Sequence, residues 1–394
     1  MAEKRSSNSQ ASLVTAAVEG LREEIFSFLK SAVDVNSHSR NPAGINRVGQ
    51  MVVDLMPHCL EHRVVVDGKG VNHHIFSNRS DNDSPVALVG HLDTVFPPDS
   101  PFQNFSDLGD RFQGPGTADM KGGIAVLVFA LRVLDDLGWL SDIPLRCMIN
   151  GDEEIGSPHS EALIREMAKG AACGLVFECG GLKGEMVSAR RGIRRYKLTV
   201  TGQARHAGVK GGPKASALVE LSRIILALED LNNAEAGVSV NVGRLFGGTA
   251  TNIVPDYAEA YFETRFWDTE EEKQVVARIE EVAGEASTPG CSTELRCHHQ
   301  RPAGRWVDGQ DDLQALVSES ADSLGQVISF EKRGGASDMN FLTDEGVPAL
   351  DGLGPVGDRD HTRDEFIFKE SLIDRTALTV LTLANFCTRP LPSI

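Results

Sequence analysis

The stretch PVALVGHLDTVFP, residues 85–97, begins as an apolar run and ends in residues that carry chemistry. Its first six residues are apolar or small, and His91 and Asp93 follow them directly. A short apolar run bounded by turn signals is typical of a buried β-strand. A single histidine and aspartate two residues apart prove little by themselves. The fold and function therefore depend on whether other ligand-type residues follow similar strands.

The segments after this stretch alternate between strand and helix patterns. The apolar runs 145–150 (LRCMIN) and 173–178 (CGLVFE) are separated from the first strand and from each other by segments of helical period at 122–140 and 160–170. Strands that alternate with helices of this length indicate an α/β sheet flanked by helices on both faces. Beyond residue 302 the alternation resumes, with a strand near 326–331 and a final helix.

The order of strand-like and helix-like segments changes between residues 190 and 301. The order of patterns there is strand, helix, strand, strand, helix, strand, which predicts a ferredoxin-like α+β block. A chain of 394 residues also exceeds the usual size of one domain. We therefore expect one α/β domain made of residues 1–189 and 302–394, with a mixed sheet, and a second α+β domain inserted at 190–301.

The charge, the apolar runs and the cysteine spacing of the chain indicate which partners and which cellular compartment to expect. The net charge is −17, which argues against nucleic acid or anionic membranes as partners. No run of about 18 apolar residues predicts a membrane-spanning helix, and the N-terminus reads as a short polar tail before an amphipathic helix, without a secretory leader. The seven cysteines include no C-x-x-C pair, which indicates free thiols in a reducing compartment. A cytoplasmic location is expected.

Ligand-type residues recur at the ends of the predicted strands. In open α/β sheets, functional groups gather beyond the carboxyl ends of the strands. Each residue has an ordinary explanation when taken alone, such as a solvated turn, a strand end, a helix N-cap or a surface loop. The combination favours a metal site, with these candidates: His91 after the first strand, Glu153 and Glu154 in GDEEIGS, Glu178 in CGLVFE, Asp119 in GPGTADMKGG and His361 in GDRDHTRDE.

The donor atoms indicate the kind of metal. Two imidazoles with three of these carboxylates suit Zn²⁺, and also Mn²⁺ or Co²⁺. This number of ligands exceeds what one catalytic zinc ion needs while keeping an open position. It suggests two metal ions bridged by one carboxylate, an arrangement that activates water and polarises a carbonyl.

The motifs together resemble the M20 family of dinuclear zinc hydrolases, and within it the glutamate carboxypeptidase branch. The resemblance covers residues 85 to 368 and is specific for the family, much less so for the substrate. The motifs, in order, are GHLDTV (90–95), GPGTADMKGG (114–123), GDEEIGS (151–157), FECG (177–180), GQARHAG (202–208), GTATNIVPD (248–256), GGASDMNF (334–341) and HTRDE (361–365).

The resemblance implies a role for each residue of the α/β domain. His91 and Glu178 would bind one zinc ion, Glu154 and His361 the other, and Asp119 would bridge them. Asp93 would hold the imidazole of His91 in place by a hydrogen bond. Glu153 would be the general base that takes a proton from water and passes it to the leaving amine. The family also implies a cis peptide bond between Asp119 and Met120.

The inserted domain would serve as the family's dimerisation or lid domain. By resemblance, His206 and Asn252 would stabilise the oxyanion, with His206 supplied by the partner subunit of a homodimer. Without its motif, His206 would be an ordinary surface residue. Arg301 would bind the substrate carboxylate in a bidentate manner, and Arg265 is a further candidate. Gly335 in the GGASD loop would line the same pocket.

The leading expectation is a zinc-dependent hydrolase that cleaves an amide or peptide bond next to a free carboxylate and releases a glutamate-like amino acid. The alternative within enzymes is an N-acyl-amino-acid deacylase of the deacetylase or desuccinylase type. A metal-binding protein without activity is a third interpretation, and the presence of Glu153 argues against it because metal binding alone does not need that residue. The expected partner is thus a small N-acyl amino acid or peptide.

Overall fold

A computed structural model describes residues 7–78, 84–209, 211–212, 214–235 and 237–388. The first six residues of the predicted polar tail lie outside these ranges. Among the described residues, no helix is both long and apolar enough to cross a membrane. All seven cysteines are free, as the scattered spacing predicts.

The helices of the described ranges begin with a group at the N-terminus and end with a long C-terminal helix. They are α1 (Ser7–Gly20), α2 (Arg22–Val33), α3 (Pro42–Leu55), α4 (Lys121–Asp136), α5 (Glu161–Ala168), α6 (Ala217–Glu229), α7 (Thr269–Gly284), α8 (Gln310–Ser323), α9 (Met339–Asp344) and α10 (Lys369–Thr388).

The strands of the described ranges fall into several sheets. They are β1 (Glu61–Val66), β2 (Asn72–Ser77), β3 (Val86–His91), β4 (Ser106–Asp107), β5 (Arg111–Gln113), β6 (Leu145–Asn150), β7 (Cys173–Val176), β8 (Glu185–Arg190), β9 (Gly192–Thr201), β10 (Arg205–His206), β11 (Ser239–Gly247), β12 (Ile253–Val254), β13 (Tyr257–Phe266), β14 (Ser292–Arg301), β15 (Ser329–Arg333), β16 (Ala349–Leu350), β17 (Gly357–Asp358) and β18 (Phe366–Phe368).

The contacts within the chain define two compact units. The first comprises residues 1–189, 306–332 and 337–394, and the second comprises residues 190–305 and 333–336. The four residues 333–336, which contain Gly335, lie apart in sequence from the rest of the second unit but pack with it.

The main sheet of the first unit is mixed, with the strand order β1-β2-β6-β3-β7-β16. The pairs β3–β6, β3–β7 and β7–β16 are parallel, whereas β1–β2 and β2–β6 are antiparallel. Every residue of β3 is buried, as the apolar run predicts. The parallel strands β3, β6 and β7 therefore end at one edge of the sheet, where functional groups collect.

Helix α4 lies in the centre of this unit. Its first eleven residues, 121–131, are all buried, which fits a helix that is apolar on nearly every side. At Gly123 the helix comes so close to the end of β7 that an added Cβ would lie 1.7 Å from the carbonyl oxygen of Phe177. This close approach fixes the start of α4, and with it the preceding Asp119 loop, near the loop that carries Glu178.

A second, four-stranded sheet of the first unit has the order β17-β18-β5-β4. Strand β5 leads into the glycine-rich loop that contains Asp119, and the turn between β17 and β18 contains His361. Phe366 of β18 pairs with Gln113 of β5. This sheet, which the sequence analysis does not anticipate, brings two distant motifs together.

The second unit contains an antiparallel sheet of order β11-β13-β9-β14. Helix α6 separates β9 from β11 and helix α7 separates β13 from β14, so the chain order is β-α-β-β-α-β as predicted. Leu221 of α6 and Ile279 of α7 belong to the same buried apolar cluster as Phe262 of β13, so both helices pack against one face of the sheet. A small additional pair, β10 with β12, joins the segments around His206 and Asn252.

Two features differ from the predicted strands. The strand expected near residues 326–331 forms β15, which pairs with β8 and does not join the six-stranded sheet. The hairpin β1–β2 is not predicted, because its strands EHRVVV and NHHIFS mix polar and apolar residues without a clear period. It extends the sheet beyond β6 with antiparallel pairing.

Candidate metal centre

Three parallel strands deliver side chains to the same edge of the main sheet. His91 is the last residue of β3, and Asp93 follows it two residues later. Glu153 and Glu154 lie in a single 3₁₀ turn (Glu153–Ile155) shortly after β6. Glu178 follows β7 by two residues.

Two further ligand-type residues come from the loops of the four-stranded sheet. Asp119 precedes α4, and its peptide bond to Met120 is cis, as predicted. His361 has a φ of +61°, and Arg359 has a φ of +63°. Residues other than glycine seldom adopt this left-handed conformation, which costs about 1–3 kcal/mol and is concentrated at functional sites.

Four side chains meet around Asp119. Nε2 of His91 lies 2.9 Å from Oδ1 of Asp119 and 3.5 Å from Oε1 of Glu178. Nε2 of His361 lies 3.1 Å from Oδ2 of Asp119 and 3.1 Å from Oε2 of Glu154. The two oxygens of Asp119 thus face two different groups, each made of one imidazole and one carboxylate.

Several polar atoms here are buried and have no hydrogen-bond partner among the described residues. They are Nε2 of His91, Oδ1 of Asp119 and Oε1 of Glu154. Buried polar atoms are normally satisfied, and an exception suggests an ion or another missing partner. Imidazole nitrogens and carboxylate oxygens that converge in this way have the chemistry that a divalent transition metal requires. The residues present therefore fit a pair of metal ions with Asp119 between them.

Two other carboxylates lie within reach of these groups. A carboxylate oxygen of Glu153 lies within 4.8 Å of ligand atoms of both His91 and Glu178. A carboxylate oxygen of Asp360 likewise lies within 4.8 Å of ligand atoms of Asp119 and His361. The sequence analysis missed Asp360, since a residue next to His361 in an exposed polar loop gives no signal of its own.

The second nitrogen of His91 fixes the orientation of its ring. Nδ1 lies 3.0 Å from the backbone carbonyl oxygen of Asp93 and 3.5 Å from Oδ1 of the same residue. The shorter of the two contacts therefore involves the backbone of Asp93, the residue that the sequence analysis expects to hold this imidazole. With Nδ1 engaged in this way, Nε2 is the nitrogen that faces Asp119 and Glu178.

The carboxylate of Asp93 has another set of partners. Its oxygens accept the backbone N–H groups of Glu153 at 3.0 Å and Glu154 at 3.2 Å. The hydroxyl of Ser39 donates to the same carboxylate at 2.7 Å. Asp93 is fully buried, so it ties the 3₁₀ turn to the end of β3.

Burial and mutual contact shift the pKa values of the residues that meet at Asp119, four of them upward and that of Asp119 downward. Asp119 and Glu154 raise the pKa of His361 to about 11. Burial would lower the pKa of His91, but its carboxylate neighbours, led by Asp119, raise it well above the usual value. Burial, reinforced by the charge of Asp119, raises the pKa of Glu178 to about 8 and also raises that of Glu154. Burial would raise the pKa of Asp119 too, but the neighbouring imidazoles of His361 and His91 outweigh this effect and lower the pKa.

Two buried carboxylates that the sequence analysis did not single out hold the loops of the centre. Glu365 accepts backbone N–H groups of the Asp119 loop, and Asp351 accepts the backbone N–H of Glu178 at 3.3 Å. Glu365 stands in the quoted motif HTRDE, and that motif is the signal that was available for it.

The predicted substrate-binding residues belong to the second unit. His206 and Asn252 are both exposed. They lie close together because the N–H of Ala207 donates to the carbonyl oxygen of Asn252 at 2.8 Å and β10 pairs with β12. The segments that carry both residues line a cavity of about 430 Å³, together with Lys214 and Pro255. The sequence motifs GQARHAG and GTATNIVPD thus meet in space.

The remaining three predictions are placed as follows. Arg265 donates from Nε to Glu263 at 2.7 Å and from Nη1 to the carbonyl oxygen of Gly334 at 2.7 Å, so part of its guanidinium is already engaged. The carbonyl oxygen of Gly335 accepts from Arg190 at 3.2 Å. Arg301 ends β14 and is buried.

Two known proteins, both named as enzymes, are similar to this chain in amino-acid sequence. Carboxypeptidase G2 of Pseudomonas sp. strain RS-16 is 30% identical over 281 residues, which cover 69% of this chain and 66% of that protein. The chain thus spans just under two thirds of that relative. Succinyl-diaminopimelate desuccinylase of Methylobacterium radiotolerans is 27% identical over 327 residues, or 77% of this chain and 81% of that protein.

Solved structures share the fold. Aminopeptidase PepT from Bacillus cereus ATCC 10987 superposes with a TM-score of 0.75 at 26% identity, covering 92% of this chain and 98% of that one. This match confirms the predicted α/β class. Residues 87–385 match the sequence profile of peptidase family M20/M25/M40, which is most of the chain and includes every residue of the centre. The chain therefore belongs to the M20/M25/M40 family of peptidases.

Proposed function

We propose that the protein is a dinuclear metallohydrolase that cleaves an amide or peptide bond next to a free carboxylate. The observation that carries this proposal is the position of Asp119, whose two oxygens face two separate imidazole–carboxylate groups. Membership of a peptidase family supports hydrolysis as the reaction.

The proposed ligands follow this division. His91 and Glu178 hold one metal ion, His361 and Glu154 hold the other, and Asp119 is shared. Zinc suits two nitrogen and three oxygen ligands, and cobalt or manganese are the expected substitutes. When bound, the ions supply Lewis acidity and a water molecule of lowered pKa.

Glu153 is the proposed general base. Its carboxylate lies beside His91 and Glu178, and its own backbone N–H is held by Asp93. It takes a proton from the attacking water and delivers that proton to the nitrogen of the leaving amine. General acid–base catalysis of this kind contributes about 10²–10⁴-fold to the rate.

The residues proposed to bind substrate lie in the second unit. Arg301 recognises the free carboxylate, and His206 with Asn252 stabilises the oxyanion that forms when water attacks the carbonyl. The family resemblance supports these roles, as does the cavity beside His206 and Asn252. Arg265 and Gly335 are weaker candidates, since both already bond within the unit.

We further propose a homodimer formed through the second unit. Strand β11 is an edge of its sheet, and most of its residues are exposed. Leu226, Leu245 and Phe246 are large apolar residues that are 69%, 52% and 46% exposed. Edges with apolar residues are prone to pair with another chain.

A cytoplasmic location remains a prediction from the cysteine spacing.

The proposed leaving group is a glutamate-like amino acid, which the motif resemblance to glutamate carboxypeptidases favours, and a carboxypeptidase among the relatives supports release of a C-terminal residue. The match to succinyl-diaminopimelate desuccinylase favours the alternative, an N-acyl-amino-acid deacylase. Both use the same centre and differ in the groups that flank the scissile bond.

A substrate panel tests the proposal. The purified protein, loaded with zinc, is incubated with folate-like and N-acylglutamate compounds and with acetyl and succinyl derivatives of other amino acids. Release of glutamate supports the leading function. Hydrolysis of many N-acyl amino acids with no preference for glutamate would transfer support to the deacylase, and absence of any metal-dependent hydrolysis would contradict both.

A further inference from the structure

Three buried carboxylates outside the ligand set each hold the backbone of a different ligand residue. Asp93 accepts the N–H of Glu154 at 3.2 Å, Asp351 that of Glu178 at 3.3 Å, and Glu365 that of Asp119 at 3.1 Å. All three are 0% exposed. The backbone N–H of each proposed carboxylate ligand thus donates to a buried carboxylate that is not itself a proposed ligand.

Glu365 makes the most extensive of these contacts with the segment that precedes α4. Its Oε1 accepts the N–H groups of Ala118 at 2.8 Å and Asp119 at 3.1 Å, and its Oε2 accepts that of Gly116 at 3.1 Å. Burial and the charge of Asp119 raise the pKa of Glu365 to about 8, whereas these three N–H bonds favour its ionised form, to which they bind more strongly than to a neutral group. Glu365 therefore restrains three of the four residues that lead to and include the shared ligand.

The position of Glu365 in the chain adds a second connection. It stands four residues after His361, at the end of the same turn between β17 and β18. The hydrogen bonds of Glu365 consequently fasten the loop of one proposed ligand, His361, to the loop of another, Asp119. Where these two loops meet, Nε2 of His361 lies 3.1 Å from Oδ2 of Asp119.

The location of Glu365 is unfavourable for stability alone. It places a buried carboxylate next to the buried Asp119, and like charges in a dry environment oppose each other. Lys121, the first residue of α4, is a buried lysine close enough for the charge of Glu365 to act on its pKa, and its Nζ donates to the carbonyl oxygen of Val35 at 2.9 Å. An amide would fill the same space without the charge.

We propose that Glu365 is a positioning residue that sets the orientation of Asp119 between the two metal ions, an inference that rests on the proposed function. A bridging carboxylate must direct its two oxygens toward two different ions, so a small rotation of its backbone misplaces both bonds. Partners that orient ligands in this way change metal affinity by roughly 10–100-fold when they are replaced.

The test is a titration of metal-free protein with Zn²⁺ in competition with a chromophoric chelator, combined with the absorption spectrum of the Co²⁺ form. In Glu365→Gln, one oxygen can still accept from Ala118 and Asp119, but the new amide group faces the N–H of Gly116. At least one of the two zinc dissociation constants is expected to rise roughly 10–100-fold, with an altered cobalt spectrum.

Glu220→Gln is the matched control. Glu220 is 1% exposed and accepts the backbone N–H groups of Ser287 at 2.6 Å and Thr288 at 2.9 Å, but it lies in the second unit, away from the ligand set in sequence and in contacts. The control is expected to lose thermal stability while both zinc constants and the cobalt spectrum stay at the wild-type values. A general effect of removing a buried carboxylate would appear in both variants.

Wild-type zinc constants and an unchanged cobalt spectrum in Glu365→Gln would overturn the proposal, whatever the melting temperature of that variant. If Glu365→Gln does not fold, Glu365→Asp, which keeps the charge but shortens the side chain, takes its place in the same titration with the same expected rise. A wild-type chain that binds no zinc would overturn the proposed function as well, whereas two zinc ions held equally by wild type and variant would overturn only the role of Glu365.

Discussion

Nε2 of His91 lies 2.9 Å from Oδ1 of Asp119, yet neither atom has a hydrogen-bond partner. The two atoms lie at ion-pair distance without hydrogen-bond geometry, which fits two ligands of one metal ion. The same aspartate faces His361 with its other oxygen at 3.1 Å. Asp119 is thus the residue on which the account of two metal ions depends.

Removal of the proposed base should separate catalysis from metal binding. We expect Glu153→Gln to lower kcat by about 10²–10⁴-fold, because the proton of the attacking water then has no acceptor in the right place. Zinc content should remain at the wild-type level, since Glu153 is not among the proposed ligands. Steady-state kinetics and elemental analysis of the same preparation check both parts. A fully active variant would refute the assigned base.

Loss of one proposed ligand should remove one metal ion. His361→Ala leaves Asp119 and Glu154 for the second ion but deletes the only proposed imidazole of that group, so at limiting free zinc the chain should retain one ion. The measurement is zinc per chain after dialysis against a buffered zinc concentration. The control is His298→Ala, an exposed histidine of β14, which should not change the zinc content. Equal zinc content in both variants would remove His361 from the centre.

The metal-free protein should lose stability as pH rises from about 6.5 to about 8. Folding raises the pKa of His361 to about 11 and of Glu178 to about 8, and raises those of His91 and Glu154. The folded chain therefore binds more protons than the unfolded chain in this window, and stability falls with pH. Glu365, whose pKa burial raises to about 8, adds to this fall. Burial lowers the pKa of Lys121 to about 7 and also lowers the pKa of several histidines outside the centre, and these groups act in the opposite direction, the histidines mainly at the lower end of the window: His38, His62, His73, His74 and His299.

Zinc should reverse this trend, because its ligands must be deprotonated to bind. The gain in Tm on adding zinc is expected to grow between these two pH values. Thermal unfolding of metal-free and zinc-loaded protein at matched ionic strength measures both slopes. A zinc-induced gain that shrinks with increasing pH would contradict the protonation pattern of the centre.

The contact of α4 with the end of β7 predicts a large effect on stability. Gly123→Ala would place a Cβ 1.7 Å from the carbonyl oxygen of Phe177, so the helix or the strand must move. Overpacking of this kind typically costs about 1–3 kcal/mol, and a clash with backbone belongs at the upper end. Gly20→Ala in α1 meets nothing within 4 Å and should leave the stability nearly unchanged. Urea unfolding of both variants decides the point, and equal stability would show that the packing is loose.

The proposed dimer makes a prediction about assembly. The double variant Leu226→Glu and Phe246→Glu introduces charges at exposed apolar positions of the second unit and should sediment as a monomer. Val327→Glu in the first unit is the control, since Val327 is 87% exposed and should not affect assembly. Sedimentation velocity at several protein concentrations measures the result. A double variant that remains dimeric would place the interface elsewhere.

Sequence patterns predicted the parts of the fold that have a clear period. The buried strand before His91, the apolar helix α4 and the β-α-β-β-α-β order of the second unit follow from local apolar patterns. The hairpin β1–β2 and the sheet that pairs β5 with β18 did not, because their strands are short or polar and their pairing depends on distant segments.

The same distinction applies to the site. The strand-end rule brings His91, Glu154 and Glu178 to one edge without further information. The loops of Asp119 and His361 come together through β5 and β18, which no local pattern indicates. The partners that hold the ligands, such as Glu365, were missed because a carboxylate in a polar motif does not reveal that it is fully buried.

The most direct test of the two-metal centre is the zinc stoichiometry of the wild-type chain and of Asp119→Ala, measured by titration of metal-free protein. We expect two zinc ions per wild-type chain and the loss of tight binding of both in Asp119→Ala, because each ion loses a ligand when the shared carboxylate is removed. A wild-type chain that binds no zinc, or a variant that still binds two ions with wild-type affinity, would contradict the account.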